Sequence, residues 1–284
     1  MAARAPLGLM RRLPRMGKAG ILGAAVLGGL WYWQERDYRA QMSWMGPPEA
    51  QVWYDWHTLN RTLRNDGYMV GWSDLRRNPL WVTYRLTRVA DPEAGPRPSG
   101  FREDIRAIWR TTSSDYTGTG YDRGHMAPNY AIAVVNGRAA QQDTFLMTNV
   151  APQRPALNRK LWQRLEEVII DDFVPHFGTV WVTDGPIFDS SVTRLPSLIE
   201  IPDAFYKILV IPGRHPKMLG FIMPQKVSGN EPLDRFVVSV DEIEARTGLD
   251  FFSQLPDGVE HQLESRSDPG AWQLKRYARQ PSRY

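Results

Sequence analysis

Asp122-Arg123-Gly124-His125-Met126-Ala127-Pro128, then Thr148-Asn149-Val150-Ala151-Pro152-Gln153 running on through Leu157-Asn158, Trp162 and Leu165-Glu166-Glu167, carry the chemistry of this 284-residue chain. In the first segment, Gly124 permits close backbone approach. Arg123 supplies a forked donor suited to phosphate, and His125 an imidazole that titrates near neutrality. Between Arg154 and Arg164 the second segment holds four cations (Arg154, Arg159, Lys160, Arg164) and no acid. Each segment also has an ordinary reading when taken alone. A single histidine packs in a core, a cationic run is a solvated helix face, and an asparagine at a helix start is an N-cap.

Joined, D-R-G-H-x-A-P and T-N-x-A-P-Q-x-x-x-L-N-x-x-x-W-x-x-L-E resemble the DNA/RNA non-specific endonucleases, the ββα-metal family of endonuclease G-like nucleases. The likeness extends to Val182-Thr-Asp-Gly185-Pro186-Ile-Phe188, Ile201-Pro-Asp-Ala-Phe-Tyr-Lys207 and Val240-Asp-Glu-Ile-Glu-Ala-Arg-Thr-Gly248, and spans roughly Trp81 to Leu255. It implies a mixed α+β fold, a central antiparallel sheet flanked by helices. It also implies a metal-dependent endonuclease that cuts DNA and RNA alike. By resemblance His125 is the general base, Asn158 the direct protein ligand of Mg²⁺ (with Mn²⁺ as substitute), and Glu166 the carboxylate that holds the metal's waters. Asn149 supports the site, Arg123 contacts phosphate, and an upstream arginine, Arg97 or its competitor Arg102, adds a second contact. Some family members carry an arginine four residues after the glutamate. Ile170 stands there in this chain, leaving Arg159 or Arg164 to compensate. The resemblance also admits a homodimer. A non-catalytic nucleic-acid binder on the same fold is the alternative reading, separated by metal-dependent plasmid nicking.

Two expectations follow from elementary chemistry. A base with an ordinary imidazole pKa loses activity as pH falls through roughly 6–7. Asn158 and Glu166, eight residues apart, stand about 80° apart around an α-helix and roughly 12 Å along it, on neighbouring faces. Water-mediated contact, or an Asn158 held just before the helix, is the consistent geometry.

The rest of the chain frames these segments. No cysteine is present, which excludes disulfides, thiolate nucleophiles and cysteine-bound metal. No G-x-S-x-G, P-loop or H-E-x-x-H motif occurs. The net charge of +4 misleads: residues 1–34 and 270–284 hold nine of the 35 basic groups and no acid, so the body is net negative. Ala19–Trp33 is uncharged for 15 residues behind a basic start. That pattern reads as a short signal anchor holding an exported, periplasmic or extracytoplasmic nuclease at a membrane, or alternatively as a mitochondrial presequence. Domain limits are placed at 1–40 (basic start and anchor), 41–70 (connector), 71–260 (nuclease domain) and 261–284 (basic tail). Leu80, Val82, Tyr84 and Leu86 alternate as a strand. Strands are also expected at 145–147, Thr179–Thr183, Phe205–Ile211, Met218–Met223 and Phe236–Val240, and a helix over Leu157–Phe173. Asp241-x-x-Glu244 with Gly248 predicts a short capped helix.

Overall fold

The computed structural model describes residues 15–189 and 191–282; Arg4, Arg11, Arg12 and Arg283 of the two basic ends lie outside them. The chain divides into two units, Met1–Gln41 and Met42–Tyr284. In the first, helix α1 (Arg15–Met42) takes in the apolar stretch but runs well past it. Its later turns carry Glu35 and Arg39, joined by a 2.8 Å bond one helical turn apart. Among the described residues no helix is long and apolar enough to cross a membrane. The anchor expected at residues 19–33 is therefore unsupported: the run is too short and charge returns directly after it.

The second unit is built on a seven-stranded antiparallel sheet. Its strands are β2 (Arg61–Asn65), β3 (Tyr68–Ser73), β4 (Asn78–Thr87), β7 (Thr179–Ile187), β8 (Ala204–Ile211), β9 (Lys217–Pro224) and β10 (Val237–Val238). Their spatial order is β10-β9-β8-β7-β4-β3-β2. A short pair, β1 (Glu49–Ala50) with β11 (Leu249–Asp250), and the ribbon β5 (Asp122–His125) with β6 (Val150–Gln153) stand outside it. The supposed connector thus supplies β1 and β2. Asp66-Gly67 turns the β2–β3 hairpin, with Gly67 at φ +78°, a left-handed conformation that glycine adopts freely. At the β3–β4 register shift, a side chain on Gly71 would overlap the Trp81 indole.

One face of the sheet is covered by a continuous helix over 157–177. It comprises a π-turn at Leu157–Trp162, α3 (Gln163–Val168), a second π-turn at Ile169–Phe173, and α4 (Val174–Phe177). Leu157, Leu161, Leu165, Val168, Ile169 and Phe173 are buried in one core with Val82, Val182, Phe205 and Leu209. Each such aliphatic or aromatic side chain contributes roughly 1.5–3 kcal/mol relative to exposure. The C-terminal segment is no loose tail. Trp272 is fully buried, with its ring centroid 5.1 Å from that of Phe173 and 5.3 Å from that of Phe177.

Two local expectations, the strand at 145–147 and the Asp241 cap, are corrected, and one helix is added. Phe145 and Met147 are buried and Leu146 half-buried, but the run is a turn leading into the 3-10 turn Met147–Asn149, making a single bridge between Leu146 and Arg102 instead of a strand. Helix α2 (Asn129–Asp143), interrupted at Gly137, was not anticipated. Beyond β10, α5 (Val240–Thr247) is capped by Ser239, whose Oγ accepts from the Glu242 N–H at 3.1 Å, and ends on left-handed Gly248. Helices α6 (Asp257–Glu264) and α7 (Leu274–Tyr277) complete the unit.

Candidate active site

The β5–β6 ribbon and the start of the 157–177 helix form a ββα arrangement around a cleft of about 650 Å³. Its lining includes Arg97, Asp122, Arg123, His125, Asn158, Arg159, Glu166 and Ile170. His125 ends β5 opposite Val150. On Gly124, beside it, a side chain would overlap the buried Gln153 side chain and force it aside. The imidazole is flanked by Phe101 and Phe145, each ring centroid 5.0 Å away. Its Nε2 is buried and has no hydrogen-bond partner. Burial first, and then the nearby Arg97 guanidinium, pushes the His125 pKa down to about 3. The imidazole is neutral well below pH 6, which removes the basis for an activity loss at pH 6–7.

Asn149 does not line the cleft. Fully buried, it accepts from the Ala127 N–H at 2.9 Å and donates to the carbonyls of Ala127 and Thr144 at 3.0 Å. It clamps the turn leaving His125, from a place beneath the cleft floor.

Asn158 reaches the other end of the same strand. Its Nδ2 donates to Asp122 Oδ2 at 3.1 Å, an orientation that leaves the carboxamide oxygen as the free donor atom. Asp122 also accepts from Arg159 Nε at 2.7 Å. Burial alone would raise the Asp122 pKa. The hydrogen bonds from Arg159 and Asn158 outweigh it and hold the carboxyl below its usual range. Asp122 is thus a site residue that the sequence reading passed over, although it stands inside the quoted motif.

The offset expected between Asn158 and Glu166 is also corrected. A π-turn closes i→i+5 bonds and takes about 4.4 residues, so each step from 158 to 162 rotates less than in an α-helix. The roughly 80° separation therefore closes, and Asn158 and Glu166 line one cleft.

Glu166 faces a buried lysine. Lys207, from β8, lies 3.8 Å from Glu166 Oε1, 4.2 Å from the Trp162 ring centroid and 3.3 Å from the Tyr84 hydroxyl. It also pairs with Asp184, its cross-strand neighbour on β7, and both side chains are fully buried. Burial pushes the Glu166 carboxyl up to about 8 and the Asp184 carboxyl to about 6, while Lys207 opposes both shifts. Glu166 Oε1 has no hydrogen-bond partner. Lys207 was visible in the family-like segment, but only the fold sets it beneath the glutamate.

The expected arginines separate by position. Arg97 lines the cleft, its guanidinium carbon 5.0 Å from the centroid of the same Phe145 ring that flanks His125. Its competitor Arg102 points elsewhere, donating to the Gln142 carbonyl at 2.9 Å. Arg123 lines the cleft while its Nε donates to the Ser113 carbonyl at 3.0 Å. Arg159 lines it too, tied to Asp122. Arg164, expected to bind substrate, is buried outside the cleft and donates to the Glu231 carbonyl. Its place in the helix turns it into the protein.

The donor set suits a hard divalent cation. A carboxamide oxygen and a carboxylate are ligand types that Mg²⁺ prefers, and no thiolate or second imidazole lines the cleft.

Comparison with known proteins agrees with this architecture. The family model described as DNA/RNA non-specific endonuclease matches residues 51–258, well over half of the chain. Human "Endonuclease G, mitochondrial" is 31% identical over 213 residues, covering 68% of this chain and 70% of the relative. Nuclease C1 of Cunninghamella echinulata is 31% identical over 217 residues, covering 70% and 85%. A nuclease of Nostoc sp. is 30% identical over 224 residues, covering 74% and 79%. Among solved structures, the complex of EndoG with EndoGI superposes at a TM-score of 0.66 and 26% identity, over 75% of this chain and 90% of that one. With family and fold in agreement, the chain belongs to the DNA/RNA non-specific endonucleases and is an enzyme that hydrolyses nucleic acid.

Proposed function

We propose that this nuclease cuts phosphodiester bonds of both DNA and RNA in a reaction that needs a divalent cation of the Mg²⁺ type, with His125 as general base. The observation that carries this reading is the pairing in one cleft of the His125 imidazole, kept neutral by its surroundings, with Asn158, whose Nδ2 is engaged by Asp122 so that its carboxamide oxygen is left to a ligand. The neutral His125 imidazole takes a proton from the attacking water. Arg97 and Arg123 hold the phosphate oxygens. Asn158 would hold the cation through its carboxamide oxygen, with Glu166 lining the same cleft. The cation supplies a Lewis acid toward the leaving oxygen. No residue of this scheme needs a 2′-hydroxyl, hence the indifference to sugar. A carboxamide ligand leaves the cation's charge available to the phosphate, which a carboxylate cage would reduce.

Digestion of plasmid DNA and of RNA by the wild type, His125→Ala and Asn158→Ala, with Mg²⁺ and with EDTA, tests the assignment. Both variants are expected to lose orders of magnitude in rate while staying folded. Near-normal turnover by His125→Ala refutes the base, and binding without metal-dependent cleavage favours the non-catalytic alternative.

The acid-free basic start, together with relatives named as mitochondrial, favours a mitochondrial destination over an exported membrane anchor. Import of a reporter fused to residues 1–41 tests this, and its recovery in the membrane fraction argues for the anchor.

A further inference from the structure

A second acidic cluster, with no part in the cleft, joins α5 to α6. Asp241 and Glu244 on α5 and Glu264 at the end of α6 each offer one carboxylate oxygen, and these atoms lie within 4.8 Å of one another. Exposed acids gather on protein surfaces without consequence, but Glu264 is not exposed. Only 4% of it is accessible, and its Oε1 is buried with no hydrogen-bond partner. Glu260, one turn earlier on α6, also has a buried Oε1 without a partner. Among the described residues no lysine, arginine or histidine pairs with Asp241, Glu244, Asp250, Glu260 or Glu264.

A buried carboxylate is costly unless a positive charge or hydrogen-bond donors meet it. Among the described residues, the hydrogen-bond donor to the three ligating side chains is the Phe251 N–H, 2.8 Å from Glu244 Oε1. A cluster this poor in cations is short of positive charge. Carboxylate oxygens from two helices, open on the side of half-buried Asp241, match a hard ion of flexible coordination that completes its shell with water.

We propose that Asp241, Glu244 and Glu264 form a structural divalent-cation site of the calcium class that fastens α6 to α5, separate from the catalytic cation. Three carboxylates of one sign, otherwise repelling one another across the helix junction, become the ligands that hold it together.

The test uses the full-length Asn158→Ala chain, which lacks the ligand of the cleft cation, stripped of metal and titrated with CaCl₂. Calorimetric titration is expected to find one Ca²⁺ per chain, and thermal unfolding a rise of several degrees at saturation. Asp241→Asn and Glu264→Gln, each added to that background, are expected to fold without Ca²⁺ and to lose both the binding and the rise. Should Glu264→Gln fail to fold, the Asp241→Asn pair decides. No Ca²⁺-dependent rise in the parent, or an unchanged rise and stoichiometry in Asp241→Asn, overturns the site.

Discussion

Replacing Lys207 with methionine keeps most of the side-chain volume and deletes the cation that faces the buried Asp184 and the half-buried Glu166. Asp184 is left fully buried without its ion-pair partner, and Glu166 Oε1 loses the ammonium 3.8 Å away. Breaking a buried pair by removing one member costs about 3–5 kcal/mol, because an uncompensated charge remains. For a domain of this size each kcal/mol lowers Tm by about 2–4 °C, which gives a fall of roughly 6–20 °C. The pH dependence identifies the cause. Asp184 and Glu166 already have raised pKa values, about 6 and about 8, and Lys207 restrains both. Without it they rise further. A carboxyl whose folded-state pKa is raised gives stability that is present below its unfolded pKa and lost as pH climbs through the folded value. The variant's deficit is therefore largest near pH 8 and shrinks toward pH 5, where the orphaned carboxyls take up protons. Chemical denaturation of wild type and Lys207→Met at pH 5, 6.5 and 8 measures this directly. A loss below about 1 kcal/mol at pH 8, or one independent of pH, refutes the idea that Lys207 neutralises this buried pair.

Because the His125 pKa is depressed to about 3, kcat/KM attributable to this base holds from pH 7 to pH 5.5; a titration at 6–7 that disappears in His125→Ala contradicts the buried, neutral imidazole. Asp122→Ala releases the Asn158 carboxamide and is expected to cost about 10–100-fold in metal affinity and activity, as losses of ligand-orienting partners do; unchanged Mg²⁺ dependence shows that Asn158 needs no such anchor. Gly124→Ala forces Gln153 aside in the ribbon, for a loss of about 1–3 kcal/mol measured by urea unfolding, whereas an unperturbed midpoint means the ribbon accommodates a methyl group.

What was legible in the chain depended on how local the signal was. The D-R-G-H and N-x-x-x-W-x-x-L-E segments are contiguous, so they carried the family, the helix and the site residues together. Alternation marked β4, whose Leu80, Val82, Tyr84 and Leu86 are all buried. Local signals failed where tertiary context decides. The apolar 145–147 run has strand composition, yet its work is to seat Phe145 against His125, and a turn does that. The hairpin turn at Asp66-Gly67 was present but unread, since β2 gains its place only from the neighbour it pairs with. Arg102 and Arg164 could not be told from Arg97 by type, because each belongs to a carbonyl or a cleft that another segment supplies. The winding of 157–162 is the most instructive case. Periodicity locates a helix but does not distinguish an α-turn from a π-turn, and here that difference decides whether Asn158 and Glu166 line one cleft or two separate surfaces. Asp122 holding Asn158, and Lys207 lying under Glu166, are contacts across 36 and 41 residues; a sequence motif records such residues without revealing that they meet.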